Sequence, residues 1–535
     1  MKRTSCQGFL KLFFFGMVIL TFISCKKDVT NVKEIQLLPY PQNIVLQKKT
    51  VNLGKGLNVS EGIYTSYLKN ELLLNNIPND KGVKVVFEKS KLDTLGDEGY
   101  QLITKNNKIS VLSNTKAGTF YGIQTLIQLA KLGKVQEFEI TDKPQFQWRA
   151  YMLDEARYFQ GKETVKSILN EMAHLKMNVF HWHLTDDGGW RIEIKKYPLL
   201  TEIGSKRDST QINYQGKKWD SEVFDGLPHE GFYTQDDIKE IVAYAENLNI
   251  TIVPEIGMPG HASAAIASYP LLGTSTKPIK VPERFGVVEA IYNPASAKTI
   301  TFLQEVLKEV SNLFPGNIIH IGGDEAKYNL WKSNREIKAY MKKNQLENYS
   351  DVQVNFTNNV SDYIDSTLGK RMMGWNEIMG HNLHYWGKEK KKANTKLSKK
   401  AIIHFWKGNP ENLKMAIDAG HELVNSNNSY TYLDYTYEQI NLEKAYSFNP
   451  IPDGFTKEEA EQILGLGAQM WGEWTPTKKE VYNQTFPRIA AYAETGWTLT
   501  NNKNYKRFKA TLPTLLNKWK KAGIIVSKEE NIINE

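Results

Sequence analysis

Apolar positions along the chain fall into two unlike patterns. From Leu37 to about Gly133, short runs of alternating apolar and polar residues, such as Val83 to Phe87 and Ile109 to Leu112, sit between Gly, Asn and Asp turns. They lead into a helical stretch from Ala117 to Leu132. This predicts a small α+β unit. Asp142-Lys143-Pro144 closes it, because proline turns the residue before it away from helix. From Phe146 to about Trp497, strand-like apolar runs alternate with amphipathic helices. Val165, Ile168, Leu169, Met172 and Leu175 form one helical stripe, and Ile238, Ile241, Val242, Ala245 and Leu248 form another. Eight strands are predicted: Trp148–Asp154, Asn178–Leu184, Ile250–Glu255, Ile318–Ile321, Met372–Trp375, Ala401–Trp406, Glu422–Asn425 and Ile463–Met470. Ser350 with Gln353 predicts a helix-starting capping box. The serial alternation predicts an α/β chain whose main body is a (β/α)₈ barrel, with its active site at the C-terminal strand ends.

The predicted strand ends carry chemistry. Strand two runs out through His181, His183, Asp186 and Asp187, strand three through Glu255 toward His261, and strand four through Gly322-Gly323-Asp324-Glu325. Strand five gives Trp375-Asn376-Glu377, strand six His404-Phe405-Trp406, strand seven Tyr432-Leu433-Asp434, and strand eight Trp471-Gly472-Glu473-Trp474. Period-two parity on strand eight puts Leu464, Leu466, Ala468 and Met470 against the helices, and Gly465, Gly467, Gln469, Trp471 and Glu473 toward the barrel mouth. On strand four the same rule turns His320 inward, and the two glycines free the backbone to present both Asp324 and Glu325.

The N-terminus adds a different feature. Lys2, Arg3 and Lys11 flank an apolar run from Leu12 to Ile23, which suits a signal-peptide core and is too short to span a bilayer. The run ends Phe22-Ile23-Ser24-Cys25, resembling a bacterial lipobox, so Cys25 is expected to be lipidated and to hold the exported chain to a membrane. The predicted organisation is an export signal over 1–24, a tether over 25–36, the small domain over 37–143, the barrel over 144–500 and a C-terminal helical extension over 501–535.

Cys6 falls within the signal and Cys25 is the lipidation site, so the exported chain has no cysteine pair to oxidise and no cysteine-based metal or redox chemistry. At 41% hydrophobic, 24% charged and 11% aromatic, the composition is that of ordinary globular protein. Net charge is +9, of which three positives lie in the first 24 residues. The remainder is spread too thinly for a nucleic-acid binder, which calls for a basic, aromatic-laced face. The biased stretch Lys388 to Lys400 reads as a solvated loop.

Paired carboxylates among tryptophans point to sugar chemistry. Trp offers a flat apolar surface to a pyranose face, and carboxylates bind hydroxyls and move protons. Adjacent acids straddle an anomeric carbon awkwardly for the usual two-carboxylate hydrolysis. A substrate that brings its own 2-acetamido nucleophile removes that difficulty. Two other readings stand beside this one. His181, His183, Asp186, Asp187 and His261 could hold a metal in a barrel hydrolase, and the set could belong to a sugar-binding protein that has lost catalysis.

The chain resembles glycoside hydrolase family 20, the β-N-acetylhexosaminidases, over nearly all of its length after the signal. The likeness rests on Leu38 to Gln42 and Ala117 to Leu126 in the small unit. In the barrel it rests on Met152 to Arg157, His181 to Asp187, Pro254 to His261 and His320 to Glu325. The resemblance implies an exo-acting hydrolase that removes terminal β-linked GlcNAc or GalNAc with retention, through an oxazolinium intermediate and with no cofactor or metal. It implies Glu325 as general acid/base and Asp324 as the holder of the acetamido N–H. Tyr432 would bind the acetamido oxygen, and Trp375, Trp406 and Trp471 would wall the sugar. Arg157, Asp434 and Glu473 would bind its outer hydroxyls, with Asp186 and His261 in support.

Overall fold

The computed structural model describes residues 35–275, 277–381 and 392–528. The signal, Cys25, most of the tether, residues 388–391 of the lysine-rich stretch and the last seven residues of the C-terminal extension lie outside the described residues. Among the described residues no helix is long and apolar enough to cross a membrane.

All eight predicted barrel strands form, each within two residues of its expected ends. They are Trp148–Asp154, Val179–Asp186, Thr251–Ile256, Ile318–His320, Arg371–Trp375, Ile402–Phe405, Leu423–Asn425 and Ile463–Met470. They pair in parallel in chain order, and the eighth returns to the first, closing the barrel. One layer of side chains fills its floor: Trp148, Ala150, Val179, Val253, Met373, Ile402, Val424 and Leu464, with Ile318 packed against them. Every strand contributes to this layer. Because side chains alternate along a strand, the inward residues two and four positions further on, including His181, Glu255, His320, Trp375 and His404, point up toward the mouth.

Leu464 corrects the parity expected for strand eight. Two residues of that strand oppose one of strand seven, since Leu423 pairs with Ile463 and Val424 with Gly465. This bulge turns Leu464 into the barrel floor. Gly465 makes it feasible: its φ is +149°, and a Cβ there would lie 1.9 Å from the Trp148 carbonyl oxygen. Beyond the bulge the expected alternation resumes, with Leu466 against the last barrel helix at Gly496 and Gln469 inward on His404. The capping box is also corrected. The helix Tyr349–Ser366 is capped by Asn348, whose side chain accepts from the Asp351 N–H while Asp351 accepts in return. Ser350 lies inside the first turn, and Gln353 is freed for another task.

Ahead of the barrel, six strands form a mixed sheet in the spatial order one, six, four, five, three, two, with the helix Lys116–Lys131 packed on it. Asp142, the last residue of its final strand, stitches this sheet to the barrel. It accepts from Tyr100 Oη at 2.5 Å, from Trp497 Nε1 at 2.9 Å and from the Gln42 N–H at 2.9 Å. It is also the counter-ion of the fully buried Lys176, at 3.2 Å. Asp142→Ala removes the counter-ion of that buried ammonium and the shared acceptor of three donors. It is expected to destabilise the protein by about 3–5 kcal/mol, read as a lowered urea midpoint.

Candidate active site

The site grows from the inward faces of the strands. Glu255, at the end of strand three, is its buried anchor. Its Oε2 lies 2.7 Å from His181 Nε2 and 2.9 Å from His183 Nδ1, its Oε1 lies 3.3 Å from His320 Nδ1, and Trp375 Nε1 donates to Oε1 at 2.9 Å. Burial opposes the charge of Glu255, but the surrounding imidazoles, His320 first, hold its pKa well below the ordinary value. Burial likewise opposes the charge of His183, yet Glu255 and Asp186 hold its pKa up at about 10. His181 goes the other way, to about 4, through burial and the neighbouring His320. Trp375 is thereby fixed by its indole N–H, and His404 stacks on its ring at 4.1 Å between centroids.

Four aromatic side chains continue this wall. Trp375 and Trp471 lie 5.7 Å apart, Trp471 and Tyr432 6.0 Å apart, and Tyr432 stacks on Trp406 at 6.0 Å with an interplanar angle of 12°. Trp406 donates through its indole N–H to Glu377 at 2.8 Å, and its main-chain N–H donates to Asn376. The predicted tryptophans and Tyr432 therefore form one contiguous surface.

The carboxylates gather on the opposite rim. After strand four, Gly322 and Gly323 adopt φ of +67° and +91°, and a Cβ on Gly323 would lie 2.3 Å from Ile378. Glu325 and His261 both hold φ of 50°, in the left-handed region that residues with a Cβ rarely occupy, as catalytic loops often require. Gln353 braces this turn by donating to the Gly323 carbonyl at 2.7 Å. His261 joins the acids: its Nε2 lies 3.8 Å from Asp324 and 3.6 Å from Glu325, and its Nδ1 lies 3.2 Å from Asp186 and 3.1 Å from Asp187. Burial disfavours its charge, but Asp186, Asp187 and Glu325 raise its pKa well above the ordinary value. Asp324 shows the reverse. Burial raises its pKa to about 8, overcoming the attraction of His261, and the charges of Glu377, Glu255 and Glu325 push the same way.

Arg157 links this acid cluster to the far side. It reaches Asp154 at 3.1 Å, Asp186 at 3.0 Å and Glu473 at 3.8 Å, and lies over the Trp471 ring. Asp434 sits in the electrostatic range of Glu473, and burial raises its pKa to about 8. All the predicted site residues within the described chain thus meet at one barrel mouth. From the sequence alone, Glu255, Asp187, Glu377 and Gln353 have no part in the sugar site. For Glu255 a signal existed, since it shares the inward parity of Val253.

Two clusters could be taken for metal sites: His181, Glu255 and His320, and Asp186, Asp187 and His261. A tetrahedral ion with bonds of about 2.0–2.2 Å holds its ligand atoms about 3.3 Å apart. In the first cluster His181 Nε2 lies 2.7 Å from Glu255 Oε2, the separation of an imidazole directly against a carboxylate, whereas His320 Nδ1 lies 3.3 Å from Oε1. At the second cluster, Arg157 supplies the cation that Asp186 faces.

Residues 146–500 match the catalytic domain of glycosyl hydrolase family 20, and residues 34–143 match domain 2 of the same family. The chain is 34% identical over 437 residues to a beta-hexosaminidase of Porphyromonas gingivalis, covering 77% of this chain and 52% of that one. It thus spans about half the length of that relative. It is 31% identical over 492 residues to a beta-hexosaminidase of Vibrio furnissii, covering 87% of this chain and 77% of the other. The solved exo beta-N-acetylglucosaminidase of Vibrio harveyi, in complex with N-acetylglucosamine, superposes with a TM-score of 0.77 at 29% identity, covering 92% of this chain and 78% of that one.

Proposed function

The chain belongs to glycosyl hydrolase family 20 and is a glycoside hydrolase, and we propose that it removes single terminal GlcNAc or GalNAc residues from β-linked glycans, with retention and with the substrate's acetamido group as nucleophile. One observation carries this reading. Asp324 and Glu325 both lie within reach of one nitrogen of His261, at 3.8 and 3.6 Å, and Asp324 is close enough to Tyr432 in the aromatic wall for its charge to act on that phenol. A single general acid beside a carboxyl that looks onto an aromatic enclosure suits a sugar whose own side group attacks C1.

The steps follow from that placement. Glu325 gives its proton to the glycosidic oxygen as the acetamido oxygen bonds to C1 and the C1–oxygen bond to the leaving group breaks. Asp324, in its carboxylate form, accepts from the acetamido N–H and offsets the positive charge that develops there. Tyr432 donates to the acetamido oxygen and orients it, while Trp375, Trp406 and Trp471 exclude water. Glu325 then takes a proton from water, which attacks C1 and reopens the ring with net retention. Arg157, Asp434 and Glu473 bind the outer hydroxyls, and Asp186 with His261 positions Glu325.

The sequence Phe22-Ile23-Ser24-Cys25 after an export signal supports a lipid-anchored enzyme acting outside the cytoplasm on oligosaccharides or glycoconjugates. Release of 4-nitrophenol from its β-N-acetylglucosaminide tests the catalytic reading. Turnover is expected to be indifferent to EDTA and blocked by a thiazoline analogue of the cyclised intermediate. Chelator-sensitive turnover would favour a metal hydrolase. Sugar binding without turnover would favour a binding protein.

A further inference from the structure

Between strand two and the helix Gln235–Asn247 the chain makes a long excursion, and residues 210–225 fold it into an arm. Gln211 pairs with Phe224 and Tyr214 with Lys217 as antiparallel bridges, and the Ile212 N–H donates to the Val223 carbonyl at 3.0 Å. The Gln211 side-chain amide donates to the Ser221 carbonyl at 2.8 Å and accepts from the Phe285 N–H at 2.9 Å, tying the arm to the loop after strand three. Arg207 at its base lies over the rings of Tyr158 and Phe285. This is a built element with internal pairing and two anchors.

Its far face reaches strand eight. Trp219 meets the edge of Trp474 at 5.3 Å and 80°, and Phe285 meets the same ring at 5.5 Å and 85°. Trp474 directly follows Glu473. Next to Trp219, the half-buried Lys218 is close enough to Asp434 for its charge to act on that carboxyl. Trp219 is still 51% exposed, an unusual state for so large an apolar ring at the rim of a site.

The position of the arm relative to the acid gives it meaning. Glu325 follows strand four, whereas Trp474 and Glu473 follow strand eight, on the opposite side of an eight-stranded ring. The leaving group departs on the side of its proton donor. The Trp219 end of the arm, against Trp474, therefore stands over the other side, beyond the outer hydroxyls assigned to Asp434 and Glu473. We propose that Trp219 and Lys218 on this arm determine chain-end specificity, closing the space beyond those hydroxyls so that only an unextended terminal sugar is accepted. The inference rests on the hydrolase reading above and deepens it.

The test compares kcat/KM on 4-nitrophenyl β-N-acetylglucosaminide with kcat/KM on the same glycoside bearing a galactosyl residue on its 3- or 4-hydroxyl. The wild type is expected to favour the simple glycoside by at least about 10³-fold, the scale of steric exclusion from a closed pocket. In Trp219→Ala, and further in the Lys218→Ala/Trp219→Ala double variant, that ratio is expected to fall at least tenfold for one of the two extended substrates. Trp219 is half exposed, so its truncation leaves the fold intact, which circular dichroism verifies. An unchanged ratio in both variants overturns the assignment of the arm while leaving the hydrolase reading standing. Absence of turnover of the simple glycoside by the wild type overturns both.

Discussion

Glu325→Gln is expected to leave a folded protein that hydrolyses unactivated β-N-acetylglucosaminides about 10²–10⁴-fold more slowly than the wild type, the usual contribution of a positioned general acid. The substitution keeps the shape of the side chain and its reach toward His261, 3.6 Å from the carboxylate in the structure. It removes only the proton that can be transferred. That makes the loss depend on the leaving group. A chitobiose leaving group departs as an alkoxide unless protonated, whereas a dinitrophenolate departs without help. Because kcat/KM reports events up to departure of the aglycone, the later use of Glu325 as base does not enter it. The loss in kcat/KM is therefore expected to be at least tenfold smaller on the dinitrophenyl glycoside. An equal loss on both substrates would remove Glu325 from the role of proton donor and leave it a positioning residue.

The barrel was legible because strands covered by helices and closed on themselves are apolar throughout and stand out as short runs between amphipathic helices. Parity then brought Trp471, Glu473 and His320 to the mouth without any structure. It failed at Leu464, because a bulge adds one residue and reverses the facing of everything before it, and a bulge is written only as a glycine among several. The capping box failed because Asn348 and Asp351 offer the same chemistry two residues earlier than Ser350 and Gln353. Glu255 was seen as a strand terminus, although its inward parity already placed it among the histidines. Glu377 and Gln353 left no such trace. They act from a turn after strand five and from a helix, where neither periodicity reveals which way a polar side chain faces the site.

Asp324→Asn is expected to cost activity and to add stability, and the two effects part company with pH. The amide keeps a hydrogen-bond acceptor for the acetamido N–H but cannot carry the negative charge that offsets the oxazolinium, so kcat should fall by about 10²–10³-fold. Stability moves oppositely because burial raises the pKa of Asp324 to about 8. Below about pH 3, under the unfolded pKa of about 3.9, the carboxyl holds its proton in both folded and unfolded chains, and aspartic acid and asparagine are nearly equivalent. As pH rises from about 3 toward 8, the unfolded chain loses this proton while the folded chain retains it. Stability attributable to Asp324 therefore declines across that window and levels off above it. With the side chain 15% exposed, the Asn variant should exceed the wild type by about 1–3 kcal/mol at pH 8 and by little at pH 4.5. Thermal unfolding of both proteins at pH 4.5, 6 and 8 reads this as a gap in Tm that widens with pH. A gap that is flat, or that narrows toward pH 8, would mean that Asp324 is already ionised in the empty site, and the charge it lends the reaction would then be present before the sugar arrives.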